Sequence, residues 1–247
     1  MNPAAAVTTL LISDLHLDDA RPEATGWLHT LLRGPARSAD ALYILGDLFD
    51  FWIGDDVISQ TARAAAEELE ALAASGVPCH FQHGNRDFLV GRDYAERAGL
   101  RVLGEQVVLD LYGTPTLLLH GDTLCTDDVE YQAFRRQVRA PAFQAMFLAK
   151  SAEQRFELAQ QARDASQRHT GKTAMAIMDV NDAAVRDAFL AHGVERMIHG
   201  HTHRPAVHRH PLGGERVGER FVLADWYDSG SYLEVGPDGC RAVSLKR

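Results

Sequence analysis

Ala41-Leu42-Tyr43-Ile44-Leu45-Gly46-Asp47 decides the fold: five apolar residues stop abruptly on a glycine and a carboxylate. A short apolar run bounded by a polar turn is the pattern of a strand buried on both faces. The same pattern recurs at Thr8 to Ile12 before Ser13-Asp14, at Val77 to Gln82 before His83-Gly84-Asn85, and at Arg196 to His199 before Gly200-His201. Between the early strands lie helix-like stretches, Trp27 to Leu32 and the Ala/Glu-rich Thr61 to Ala74, the second closed by Ser75-Gly76 with Pro78 beyond. Further on, Gln106 to Leu111 and Thr116 to Leu119 flank a Tyr112-Gly113 turn and read as a hairpin. Phe221 to Lys246 supplies more strand, turned at Gly236-Pro237-Asp238-Gly239. The expected class is α/β with mixed sheets, parallel in front and antiparallel behind.

The segment Val129 to Lys172 breaks this pattern. It is rich in Ala, Gln and Arg, nearly free of β-branched residues, and carries Phe134, Phe143, Met146, Phe147, Leu148 and Phe156. Helices inserted into the frame are expected there. Asn181 then reads as the N-cap of another helix that passes Phe189-Leu190 and stops near Gly193. A single domain over residues 1–247, with a helical cap at 129–175, fits a chain of 247 residues.

With 46% hydrophobic and 24% charged residues the chain has globular composition, and its net charge of −9 argues against a general nucleic-acid binder. Cys79, Cys125 and Cys240 are odd in number and widely spaced, which fits a reducing compartment rather than a disulfide framework. Packing is the simplest reading of Cys79 and Cys125, and Cys240, in a terminal strand, has no evident partner. No long uncharged apolar stretch is present, so any membrane contact is expected to be peripheral.

Five polar clusters fall at strand ends: Asp14-Leu15-His16, Gly46-Asp47, Gly84-Asn85-Arg86-Asp87, His120-Gly121-Asp122 and Gly200-His201-Thr202-His203. Ligands bind at the carboxyl ends of strands in open α/β folds, so these clusters can share one cleft. Carboxylate, imidazole and amide donors without thiolate suit Mn, Fe or Zn. Strand alternation would aim Asp14 with His16, and His201 with His203, to one side. Glycine before Asp47, Asn85 and His201 allows close backbone approach. His80, His83 and His199 read as hydrogen-bonding neighbours of the ligands, Asp55 and Asp56 as a solvated turn, and His208 and His210 as loop residues.

In this order, D-x-H, G-D, G-N-x-D, a later His and G-H-x-H resemble the calcineurin-like metallophosphoesterase superfamily over Ile12 to Arg204. The resemblance implies a sandwich of two mixed β-sheets flanked by helices. It also implies one metal on Asp14, His16, Asp47 and His203, and a second on Asp47, Asn85, His120 and His201, with Asp47 bridging. The chemistry it implies is in-line attack on phosphorus by a hydroxide bridging both cations. Many members carry His where this chain has Arg86; Arg86 is therefore assigned to transition-state charge, with Asp87 orienting it and His120 also in the catalytic set.

Longer strings are more specific. Tyr43 to Phe49, Trp52-Ile53-Gly54-Asp55-Asp56, His83 to Leu89, His120 to Asp128, Ile177 to Asn181 and His199 to Val207 resemble the UDP-2,3-diacylglucosamine hydrolase family of bacterial lipid A biosynthesis, over nearly the whole chain. That resemblance implies a monomer with two Mn²⁺ per chain, peripheral at the cytoplasmic face of the inner membrane. It implies cleavage of the substrate pyrophosphate to UMP and 2,3-diacylglucosamine 1-phosphate. Substrate contacts would fall on Asn85, Arg86, Asp128, Arg163, Ser166 and His201, with Trp52 near the acyl region. The chain departs from the family where its Asn falls on Thr170 and its Lys on Thr173, with Lys172 one position earlier; these three complete the expected contacts.

Val129 to Lys172 holds eight Lys/Arg against four Asp/Glu. An apolar face with a basic rim suits acyl chains or an anionic membrane, and equally an amphipathic helix pair whose phenylalanines pack on the core. A soluble nucleotide pyrophosphatase and a partner-binding protein on the same fold are the competing functions.

Overall fold

The computed structural model describes residues 8–172 and 179–245, with backbone only over residues 165–172. Two sheets pack face to face. In the first, β1 (Thr9–Ile12), β2 (Ala41–Leu45), β3 (Cys79–Gln82) and β4 (Leu100–Val102) run parallel, and the terminal hairpin β10 (Ser231–Gly236) and β11 (Gly239–Ser244) adds antiparallel to β1. The second has the order β5 (Gln106–Leu111), β6 (Thr114–Leu119), β7 (Arg196–His199), β9 (Arg216–Val222), β8 (Ala206–Gly213).

Alternation along the strands builds three apolar layers. Leu10, Ile12, Leu42 and Ile44 face α1 (Pro22–Arg33), α2 (Gln60–Ala74) and α3 (Arg92–Arg97). Leu11, Tyr43, Leu45, Leu118 and Ile198 meet between the sheets, and Leu117, Leu119 and Met197 pack on α7 (Asp182–His192). Local chemistry sets the helix ends. Pro22 opens α1, Ser59 Oγ accepts the Ala62 N–H at the start of α2, and Asn181 Oδ1 accepts from Ala183 and Ala184 before α7, which Gly193 ends at φ 65°.

The expected strands, the first hairpin, both early helices and the Asn181 cap form where the sequence places them. The second sheet is mixed, as the family resemblance implies: β6, β7 and β9 are parallel within it, where the strand pattern alone suggested antiparallel neighbours. Parallel neighbours need a long crossover, and the cap together with α7 supplies it between β6 and β7. His208 and His210 lie in β8 rather than in a loop: Pro211 marks a register shift on an edge strand, where its missing N–H leaves no ladder bond unmade.

The cap consists of α4 (Val129–Arg139), α5 (Pro141–Leu148) and α6 (Ala152–Lys172). Pro141 after Ala140 separates the first two. Of the six large apolar residues noted in the sequence only Phe147 is buried, while Phe134, Met146, Leu148 and Phe156 are exposed, Met146 at 54%. The cap phenylalanines therefore do not merely pack on the core. No helix among the described residues is long and apolar enough to cross a membrane.

Candidate metal centre

β1, β2 and β3 in one sheet and β6 and β7 in the other deliver their carboxyl ends to one edge of the sandwich, where the five clusters meet. Strand alternation is not what aims them. Asp14, His16, Asp47, His201 and His203 lie past the strand ends with φ of 57°, 48°, 52°, 67° and 54°. Such left-handed backbone costs a non-glycine residue about 1–3 kcal/mol and persists only where the surroundings enforce it.

The enforcing contacts are specific. Asp14 N–H donates to Gly46 O (3.1 Å) and His16 N–H to Asp47 O (3.0 Å), locking two loops together. A Cβ on Gly84 would overlap the Asp47 carboxylate, and one on Gly200 would overlap Ser13 Oγ and Asp14 Oδ2. The glycines make room for the cluster's own carboxylates.

Two groups of donor atoms converge. Asp14 Oδ1, His16 Nε2 and His203 Nε2 form the first, with His203 Nε2 3.2 Å from both other atoms. In the second, Asn85 Oδ1 lies 2.9 Å from His120 Nε2 and 2.8 Å from His201 Nδ1. Asp47 stands between them: its Oδ2 is 3.9 Å from His16 Nε2 and its Oδ1 3.7 Å from His120 Nε2. His120 Nδ1–H donates to Leu45 O at 2.8 Å, which fixes the neutral tautomer and turns the Nε2 lone pair toward the Asn85 oxygen. Lone pairs facing one another are satisfied by a cation rather than by a hydrogen bond. Ligands bound at ~2.1 Å stand ~3.0–3.5 Å apart, so the spacing suits a divalent metal in each group.

Electrostatics agree for His16 and His201, whereas, against burial, nearby carboxylates raise His120 and His203. Burial pushes the His16 imidazole down to about 3 and that of His201 to about 4, leaving both neutral and able to donate a lone pair at neutral pH. Burial pushes Asp47 up, as it must for a carboxyl among other carboxyls. Asp14, although burial opposes it, is held below the usual carboxylate range by His203 and the neighbouring imidazoles.

His16, His199 and His201 titrate at about 3, 3 and 4 when folded, against about 6.5 when unfolded. The unfolded chain takes up their protons first, so stability is lost as pH falls below 6.5. His120 and His203, raised by Asp47 and Asp14 against their burial, act in the opposite sense, and so does Asp47, whose carboxyl burial pushes up to about 7. Between pH 7 and pH 5 the three depressed histidines lose ~2 kcal/mol each and the three raised groups return about two thirds of it, so the metal-free protein is expected to lose on the order of 2 kcal/mol. Chemical denaturation at both pH values measures this, and equal or greater stability at pH 5 contradicts it.

Other expected site residues land differently. Asp87 is fully buried and does not orient Arg86: its Oδ1 accepts from Gly84 N–H (2.8 Å) and Asp47 N–H (3.3 Å), and its Oδ2 from Leu48 N–H (2.7 Å) and Phe49 N–H (3.4 Å). It ties the Asn85 loop to the Asp47 loop. Arg86 donates its own N–H to Asp47 Oδ1 at 2.8 Å, and its positive charge acts on Asp47, Asp50, His16 and Tyr227. Trp52, 7% exposed, is a core residue rather than an acyl contact: its indole N–H donates to Asp55 (2.9 Å) and its ring packs against Phe49 and Tyr94. Asp55 also accepts from Gly91 and Tyr94 N–H, and Asp56 pairs with Arg155, so neither belongs to a merely solvated turn.

Asp128 caps α4 through the Tyr131 N–H (2.9 Å). Arg163 reaches from α6 to Asp50 (2.7 Å), whose other oxygen is 3.8 Å from His16 Nδ1. Ser166, Thr170 and Lys172 fall on the backbone-only end of α6, and Thr173 lies outside the described residues. The cap's basic residues turn inward more than its composition suggests: Arg135 pairs with Asp122 (2.7 Å) and Glu105, Arg139 donates to Gly84 O (2.8 Å), and Arg155 is buried.

Two parts of the site drew no role from the sequence. Asp122 is buried and accepts from Tyr131 Oη (2.9 Å) and Arg135 Nε, fastening α4 to the His120 loop. The turn Asp225-Trp226-Tyr227 closes the other side, with Tyr227 stacked on His16 at 5.4 Å and Arg21 4.6 Å above the tyrosine ring. The aromatic pair Trp226-Tyr227, in a loop after a strand, was the available signal.

The calcineurin-like phosphoesterase family model matches residues 7–205. A protein of Stenotrophomonas maltophilia (strain R551-3) named UDP-2,3-diacylglucosamine hydrolase is 53% identical over 98% of this chain and 100% of its own. One of the same name from Xanthomonas campestris pv. campestris (strain ATCC 33913) is 54% identical over 97% and 99%. Among solved structures, Vacuolar Protein Sorting 29 from Cryptosporidium parvum superposes with a TM-score of 0.52 at 13% identity, covering 98% of this chain and 92% of that one, a likeness of fold alone.

Proposed function

The chain belongs to the UDP-2,3-diacylglucosamine hydrolase family of calcineurin-like phosphoesterases, and from that premise we propose that it hydrolyses the pyrophosphate of UDP-2,3-diacylglucosamine to UMP and 2,3-diacylglucosamine 1-phosphate with two Mn²⁺ bound. The observation that carries this reading is an apolar, outward-facing cap fastened directly over an acceptor-lined cluster. Asp14, His16, Asp47 and His203 would hold one cation and Asp47, Asn85, His120 and His201 the other. The cations, when bound, supply Lewis-acid neutralisation of the phosphate oxygens and a nucleophile drawn from water at neutral pH.

The chain's own groups do the rest. Asp47 presents one oxygen to each donor group, and the Leu45 carbonyl keeps the His120 proton on Nδ1 so that Nε2 remains a donor of its lone pair. Arg86, beside Asp47, offers a permanent charge and a planar fork for phosphate oxygens, and it cannot serve as a proton source. Asn85 and His201 would meet the reacting phosphate, while Asp128, Arg163, Ser166, Thr170, Lys172 and Thr173 would receive the rest of the head group. Exposed Phe134, Met146, Leu148 and Phe156 would meet the acyl chains and, with the chain acting as a monomer, the cytoplasmic face of the inner membrane.

Met146→Asp and Leu148→Asp test this. Losing one buried apolar side chain is worth ~1.5–3 kcal/mol, so kcat/KM for UDP-diacylglucosamine is expected to fall ~10–100-fold. Hydrolysis of the soluble diester bis(p-nitrophenyl) phosphate should be unchanged. Equal losses on both substrates, or faster cleavage of soluble dinucleotides by the parent chain, would sink the lipid assignment.

A further inference from the structure

Arg220, on β9, is 4% exposed and, among the described residues, forms no ion pair with a carboxylate. Desolvating a guanidinium is costly, so its contacts matter. Nη1–H donates to His199 Nε2 at 3.0 Å, and Nε–H donates to His210 Nε2 at 3.2 Å. His199 is itself fully buried, and its Nδ1–H donates to Gly200 O at 2.8 Å. Glycine at 121 makes room for this ring, since a Cβ there would lie 2.6 Å from its Nδ1.

The carbonyl at the end of this chain of bonds is a special one. Gly200 O also accepts the Thr202 N–H at 2.8 Å, closing a three-residue turn around His201, whose φ is 67°. A γ-turn with a positive central φ is the rare, strained form, and it holds only where other bonds fix it. That turn aims His201 Nδ1 at Asn85 and brings the His201 N–H to Asp14 Oδ2 at 2.9 Å.

We infer that Arg220 is a positioning residue of the metal centre, acting through His199 and the Gly200 carbonyl to hold the strained turn that presents His201. It touches neither substrate nor cation. The inference rests on the reading of the cluster as a metal site.

Calorimetric titration of Mn²⁺ into the demetallated full chain tests it, with Arg220→Met and Arg220→Lys beside the parent. Removing a residue that orients a metal-bound histidine typically weakens affinity 10–100-fold, so Arg220→Met should raise the Mn²⁺ Kd by that factor. Arg220→Lys keeps the charge and one donor to His199, and should raise it less. Excess Mn²⁺ should restore kcat in both with KM unchanged. Arg220→Lys carries the test if the Met variant does not fold. Affinities within twofold of the parent, or a lowered melting temperature with activity that Mn²⁺ does not rescue, overturn the inference. A parent chain that takes up no Mn²⁺ overturns the metal-site reading instead.

Discussion

Asp47→Ala is expected to lower kcat by more than about 10³-fold on any substrate, with the chain still folded. Removing one hydrogen-bond donor from a preorganised charge-stabilising site costs ~10²–10³-fold. Asp47 does more, because its two oxygens face two donor groups, 3.9 Å from His16 Nε2 and 3.7 Å from His120 Nε2. Losing it would strip both cations of a shared ligand at once. Because burial holds its carboxyl above the usual range, its removal relieves a cost in the metal-free chain, and the melting temperature without metal should not fall steeply. Steady-state turnover at saturating Mn²⁺ decides, and a rate within tenfold of the parent would refute the shared-ligand assignment.

Asp87→Ala is expected to act on stability instead. Its carboxylate accepts two short backbone bonds, from Gly84 at 2.8 Å and Leu48 at 2.7 Å, and two longer ones from Asp47 and Phe49. Burial pushes this carboxyl up as it does that of Asp47, but removing it leaves the buried Gly84 and Leu48 N–H groups without an acceptor, at ~1–3 kcal/mol each, so the loss is about 2–6 kcal/mol. That is a large share of a typical total of ~5–15 kcal/mol. For a chain of this size the melting temperature should drop by roughly 10–20 °C, and Asp87→Asn, which keeps one acceptor oxygen, should lose about half as much. If Asp87 served to orient Arg86, its alanine variant would melt like the parent and lose only rate, as an Arg86→Ala variant would. Thermal unfolding of the metal-free proteins separates the two roles.

The frame and the meeting of the five polar clusters were legible for the same reason: each cluster follows an apolar strand run, and both run and cluster are marked by residue type. Ala41 to Leu45 ending at Gly46-Asp47 could hardly be anything but a buried strand delivering a carboxylate. Backbone conformation was not legible. Alternation was the natural reading of D-x-H and H-x-H, yet positive φ at Asp14, His16, His201 and His203 does the aiming, and no side chain announces it. Partners distant in sequence were equally silent. Asp87 beside Arg86 suggested a local pair, whereas its acceptors serve backbone some forty residues earlier. Trp52 beside family motifs suggested a lipid contact, whereas Asp55 and Tyr94 draw it into the core. In the cap, composition gave the apolar and basic content, but only packing shows that Arg135, Arg139 and Arg163 turn toward the catalytic edge while Phe134 and Met146 turn away.

The proposed chemistry requires a pair of divalent cations sharing Asp47. Electron paramagnetic resonance during Mn²⁺ titration of the full chain tests it most directly. Uptake of two equivalents is expected, with the isolated-ion signal giving way to that of an exchange-coupled pair, and with coupling lost in Asp47→Ala. Saturation at one equivalent, or two ions that remain magnetically independent in the parent chain, would contradict it.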